Sequence, residues 1–161
     1  PIDLLRRANL TVTVAALNPP VQVVGRSRLE LMAEATLDDC LEKTYDAVVL
    51  IGGPGYVSYA QTPALMPFLQ RHAKAKALLA AICAAPHALW DSGLLAGKRF
   101  TCHKAHREKL KGALDEAVVV DGKILTADGA GSSFAFGLKL VEILAGAEAS
   151  EEIAKATGYR G

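Results

Sequence analysis

Residues 77–89 read ALLAAICAAPHAL and hold the clearest chemistry in the chain. A run of small apolar residues ends at Cys83. A helix-compatible stretch begins at once, with Pro86 in its first turn, where a missing N–H does no harm. A strand that runs into a helix through one tight turn is the geometry of a nucleophile elbow. It lifts one side chain above the sheet edge and sets the sulfur beside a helix N-terminus, whose partial positive charge favours thiolate over thiol. A lone cysteine is more often a small buried hydrophobe; the elbow context reverses that balance.

A thiolate that attacks a carbonyl needs donors for the developing oxyanion. The apolar run Asp46 to Ile51 ends in Gly52-Gly53-Pro54-Gly55, and in doubly wound folds sites form outside the carboxyl ends of the strands. If the two strands are neighbours, the Gly52–Gly53 loop faces the sulfur, and the amides of Gly53 and Ala84 make an oxyanion hole. By itself GGPG is a plain turn; its pairing with an elbow gives it weight. A proton carrier is also needed. Of His72, His87, His103 and His106, His103 follows a short strand that would end at the same edge as Cys83, which makes it the candidate for acid–base work. His72 and His106 sit in charged helical contexts and are expected to be solvated. His87 lies one turn into the elbow helix, a packing position.

The elements that must hold these residues alternate. Residues 1–9 have a helical apolar period, and Thr11 to Leu17 reads as a strand broken by Asn18-Pro19-Pro20. Val21–Val24 and Leu29–Met32 are short strands, and Thr36 caps a brief helix through Glu42. Asp46–Ile51 is a strand covered on both faces. Thr62-Pro63 opens a helix to about Lys76, and Ala77–Ile82 is the elbow strand. A short strand covers Arg99–Cys102 and a small helix 104–111. Asp121-Gly122 marks a hairpin between Val118–Val120 and Ile124–Thr126. Ser132 or Ser133 caps a helix through Leu144, and a last helix covers roughly 149–157. Buried strands alternating with helices predict an α/β fold with a mostly parallel sheet, in one domain over 1–161.

Composition narrows the function. The formal net charge of +1 gives no electrostatic case for nucleic acid or an anionic membrane. No apolar run is long enough to span a bilayer, and no signal peptide is visible. Cys40, Cys83 and Cys102 are odd in number and match no zinc spacing, so they read as free thiols in a reducing, cytoplasmic setting with no metal.

The segments AAICAAPHAL, VVLIGG, TCH at 101–103 and DGKILTADGAGSSFAFGLKLVE at 121–142 together resemble the ThiJ/PfpI superfamily. They are most similar to its branch that contains the parkinsonism-associated deglycase. The resemblance implies a flavodoxin-like, doubly wound sandwich, a homodimer and a redox-sensitive elbow cysteine. It implies cofactor-free conversion of methylglyoxal to lactate, removal of early glycation adducts, or chaperone-like protection. By position, Cys83 resembles the family cysteine, Gly53 and Ala84 its oxyanion donors, and His103 its nearby histidine. An arginine that approaches the site falls at Arg26 or Arg28. The family also has a strand and half a helix ahead of the point matched by Pro1, with an acidic residue that tunes the cysteine. This leads to the expectation of a bound N-terminal fragment, without which Thr11–Leu17 and the strand ending in Cys83 face a gap.

Two readings from different classes follow. In one, Cys83 is the nucleophile of a glyoxalase or deglycase acting on a small aldehyde or glycated substrate. In the other, the protein is a non-enzymatic stress protein whose Cys83 is oxidised as a sensor. A glutaminase triad is disfavoured because no histidine follows His106, and a protease-like site because Ala84, not histidine, follows Cys83. The dimer contact is expected near helix 1–9, through Ile2, Leu5 and Ala8, and around Met32.

Overall fold

The computed structural model describes all of residues 1–161. In chain order it has α1 (Ile2–Arg7), β1 (Ala15–Ala16), β2 (Gln22–Val24), β3 (Glu30–Met32), β4 (Ala35–Thr36), β5 (Ala47–Ile51), α2 (Leu65–Lys74), β6 (Leu78–Ile82), α3 (Pro86–Asp91), β7 (Val118–Asp121), β8 (Ile124–Ala127), α4 (Ser133–Ala145) and α5 (Ala147–Ala156). The main sheet has the order β5-β6-β8-β7. β5, β6 and β8 are parallel, and β7 returns antiparallel to β8. This is the expected α/β sandwich.

β6 is buried along its whole length, and its alternation divides the core. Leu79 and Ala81 face α2 and α3, with Leu65, Phe68, Leu69 and Leu89. Leu78, Ala80 and Ile82 face α1 and α4, with Leu4, Leu5, Phe136 and Leu140. Each leucine so buried contributes about 1.5–3 kcal/mol. α1 reaches α4 at Gly137, where an added Cβ would lie 2.7 Å from Leu4 Cδ1. Leu5 is therefore already buried within the chain, so it is not free for a dimer contact as the helical period suggested.

Several boundaries differ from the sequence reading. Of Thr11–Leu17 only Ala15–Ala16 forms a ladder, because β1 has a partner, β4, on one side alone. Arg99–Cys102 is not a strand but a single bridge at Thr101. Side chains take over its bonding: Thr101 N–H donates to Thr126 Oγ1 at 2.9 Å, and Thr101 Oγ1 donates to the Leu114 carbonyl at 2.9 Å. The turn at Thr36 runs only through Asp38–Cys40, although Thr36 N–H does donate to Asp39 Oδ2 at 2.8 Å. α2 starts at Leu65 because the Thr62 hydroxyl donates back to the Ser58 carbonyl instead of capping. The 104–111 helix is one 3-10 turn, Lys104–His106. Neither Ser132 nor Ser133 caps α4 by its side chain; Ser132 Oγ donates to Asp128 Oδ1 at 2.5 Å.

The sheet has an opening. Leu78 N–H donates to the Asp46 carbonyl, so by alternation Ala47, Val49 and Ile51 turn their backbone groups away from β6. Glu34 and Leu37 N–H donate to the Val14 and Ala16 carbonyls, so Thr13, Ala15 and Leu17 turn theirs away from β4. No strand pairs with either set. Between them runs an apolar groove of about 230 Å³, lined also by Tyr45, whose buried hydroxyl has no partner. The gap thus lies between Thr11–Leu17 and β5. It does not touch the strand ending in Cys83, which is paired on both sides by β5 and β8.

Candidate active site

Cys83 follows β6 directly and has φ 67. A left-handed backbone at a non-glycine residue is strained by roughly 1–3 kcal/mol and here forms the sharp corner of the elbow. Two bonds from opposite sides hold it. Cys83 N–H donates to the Ala127 carbonyl at 2.9 Å, and the Cys83 carbonyl accepts from His103 N–H at 2.8 Å. α3 begins three residues on, with Pro86 in its first turn. Cys83 is half-buried, whereas Cys40 and Cys102 are buried. Burial also pushes the Cys102 thiol up to about 11, so it stays a thiol at neutral pH.

Gly52 is seated against this corner. A Cβ there would meet Ala84 N at 2.7 Å, the Ile82 carbonyl at 2.8 Å and Cys83 Cβ at 2.9 Å, so only glycine fits. Gly53 follows with φ 98 and opens a 3-10 turn, Pro54–Tyr59. Two tyrosines fix that turn. Tyr59 Oη donates to the Ile51 carbonyl at 2.7 Å, and burial pushes its phenol up to about 12, so it remains a donor. Tyr56 N–H donates to the Gly53 carbonyl at 3.1 Å.

His103 is half-buried beside Gly129, and its Nδ1 accepts from Ala105 N–H at 3.3 Å. A neutral ring held this way carries its proton on Nε2 and can donate it. Arg26 and Arg28 lie exposed at the tip of the β2–β3 hairpin, and their side chains make no hydrogen bond or ion pair; Arg28 N–H donates to the Gly25 carbonyl at 3.0 Å. The structure thus brings Cys83, Ala84, Gly52 and His103 together, with Gly53 next in the loop, and places the two arginines on the β2–β3 hairpin.

Two histidines are not solvated as the charged contexts suggested. His72 is only 1% exposed. Its Nε2 accepts from Tyr45 N–H at 3.2 Å and its Nδ1 donates to the Phe68 carbonyl at 2.8 Å, making it a core bracket. His106 is half-buried, with its Nδ1 3.2 Å from His87 Nε2. Tyr56 packs on both rings. Sequence reading missed Tyr56, and nothing in the spacing of 56, 87 and 106 signals that they meet.

Comparison with known proteins points to one family. The description of the DJ-1/PfpI family matches residues 1–143. Protein DJ-1 homolog A of Arabidopsis thaliana is 36% identical over 97% of this chain and 41% of its own length. The chain therefore spans about two fifths of that relative. The glutathione-independent glyoxalase DJR-1.2 of Caenorhabditis elegans is 34% identical over 95% of this chain and 83% of its own length. The crystal structure of Drosophila melanogaster DJ-1beta superposes with a TM-score of 0.95 at 33% identity, over 99% of this chain and 89% of that one. No helix is long and apolar enough to cross a membrane. With its elbow cysteine, its glycine loop and this match along most of its length, the chain belongs to the DJ-1/PfpI family.

Proposed function

We propose that this chain is a cysteine-dependent, cofactor-free glyoxalase or deglycase acting on methylglyoxal or early glycation adducts. The carrying observation is the strained Cys83 corner, half-buried, bonded through its carbonyl to His103 and flanked by Gly52. The name of the nematode relative supports the same chemistry. In this reading the Cys83 thiolate adds to the aldehyde carbon. A C–S bond forms and the carbonyl π pair moves to oxygen. The resulting oxyanion rests on the Gly53 and Ala84 amides. A proton then moves between the two substrate carbons, giving a thioester that water cleaves to lactate and free thiol. His103, with its proton on Nε2, enters as the donor to oxygen.

The base is a second group. The groove is apolar and has unpaired backbone edges of two strands along it. A strand-forming segment that paired with both edges would close the sheet. The protein works as a homodimer. The exposed apolar hairpin supports this, with Val24 63%, Leu31 56% and Met32 68% exposed.

Turnover of methylglyoxal without glutathione tests the reading. Wild type should form lactate, and Cys83→Ala should lose at least about a hundredfold of that rate. If neither turns over, while peroxide adds two oxygens to Cys83 at low dose, the sensor reading replaces it.

A further inference from the structure

The rings of Tyr56, His87 and His106 meet in one cluster. Tyr56 lies 5.2 Å from His87 and 5.0 Å from His106, between ring centres. His87 and His106 are 5.0 Å apart, nearly perpendicular, and joined Nε2 to Nδ1 at 3.2 Å. Each ring comes from a different segment that borders Cys83. Tyr56 follows the glycine loop and holds the Gly53 carbonyl through its N–H. His87 sits one turn into α3, just after the elbow. His106 ends the 3-10 turn that His103 caps, and its N–H donates to the His103 carbonyl at 2.8 Å. The cluster therefore ties together the three stretches of backbone that would have to hold still during an attack by Cys83.

We infer that Tyr56, His87 and His106 form a clasp that presses the Gly52–Gly53 loop onto the elbow, and so act as positioning residues for the oxyanion site. The hydroxyl of Tyr56 makes no hydrogen bond, so its ring is what counts. The pair of imidazoles needs one neutral ring to accept. Burial holds both below the ordinary histidine value, as do the His103 ring beside His106 and Lys109 beside both, while Asp91 on α3 pulls His87 the other way. Groups with lowered pKa in the folded state give their full support above the unfolded value of about 6.5. That support is lost as pH falls through the depressed values, when two charged rings repel. The clasp opens in acid.

This deepens the proposed reading and rests on it only for the turnover measurement. Tyr56→Leu and His106→Ala remove a ring each; Tyr56→Phe and His87→Gln keep the shape or the bond. By NMR, the ring-removing variants should lose about tenfold of the amide-exchange protection at residue 56, whose N–H holds the Gly53 carbonyl, with Leu79 and Ala81 of β6 unchanged. Wild type should show the same selective loss as pH is taken below the ordinary histidine value of about 6.5. Tyr56→Phe should match wild type. In turnover, kcat should fall about tenfold in the ring-removing variants. Alkylation of Cys83 by iodoacetamide should stay within about twofold, because displacement at a saturated carbon builds no oxyanion. Unchanged protection at residue 56 overturns the clasp, as does a parallel fall in alkylation and turnover, which would mean a general loss of structure. If wild type turns over no methylglyoxal, the proposed function fails and the exchange measurement alone decides the clasp.

Discussion

At the scale of single residues, the three cysteines differ in what surrounds them. Cys40 and Cys102 lie in the core between the sheet and α2–α3, at 4% and 0% exposure, and Cys102 is further held as thiol by burial. Cys83 is half-open and stands on a backbone corner. Under limiting alkylating agent, Cys83 should label first, by at least about tenfold over the other two. Mass-mapped peptides would show it, and faster labelling of Cys40 or Cys102 would count against its role. The histidines carry a matching lesson. Local charge around His72 and His106 argued for water, yet both rings found partners from segments far along the chain. Charge along a helix reports the neighbours in sequence; burial is decided by the neighbours in space.

At the scale of elements, the site is the meeting of two strand ends. β5 and β6 run parallel with Ile51 opposite Ile82, so the glycine loop and the elbow start level. Gly52 is the point of contact, with three atoms of the elbow within 2.9 Å of where a Cβ would sit. Gly52→Ala should therefore destabilise by about 1–3 kcal/mol as backbone is pushed apart. For a domain of this size that lowers Tm by about 3–10 °C. It should also cut methylglyoxal turnover more than any change at Gly55, whose added Cβ meets nothing. A thermal melt and a rate for the two variants would check this; equal behaviour would show that the loop does not rest on the elbow. The hairpin at β7–β8 was legible from Asp121-Gly122, and Gly122 has φ 60 at the first central position, as a type II′ turn requires. Arg99–Cys102 was not legible, since its apolar–polar pattern cannot reveal that threonine hydroxyls would replace the ladder.

At the scale of the whole molecule, two surfaces are unfinished. One is the groove between β1 and β5, where the N–H and C=O groups of Ala47, Val49, Thr13 and Ala15 lack a strand partner. The other is the β2–β3 hairpin with its exposed Val24, Leu31 and Met32. Native mass spectrometry should show a twofold assembly. Hydrogen exchange in that assembly should be slow at Ala47 and Val49. A monomer of 17.0 kDa with fast exchange along β5 would remove both proposals.

Much of this protein was determined by its sequence alone. The continuous apolar run at 78–82 is a strand covered on both faces, whereas the run at 47–51 is a strand covered only in part, with Ile51 exposed, and the break at Cys83 followed by Pro86 leaves few other paths for the chain than an elbow. Those are local facts, set by backbone sterics and by the period of burial. The tertiary structure decided the rest: that the His103 amide reaches the Cys83 carbonyl, that Gly52 touches Ala84, that the arginines stay at the hairpin tip, and that Tyr56, His87 and His106 close on one another. Each of those contacts joins residues at least 19 positions apart or depends on which strand edge remains open. Such distances are set by packing of the whole sandwich, which no local pattern records.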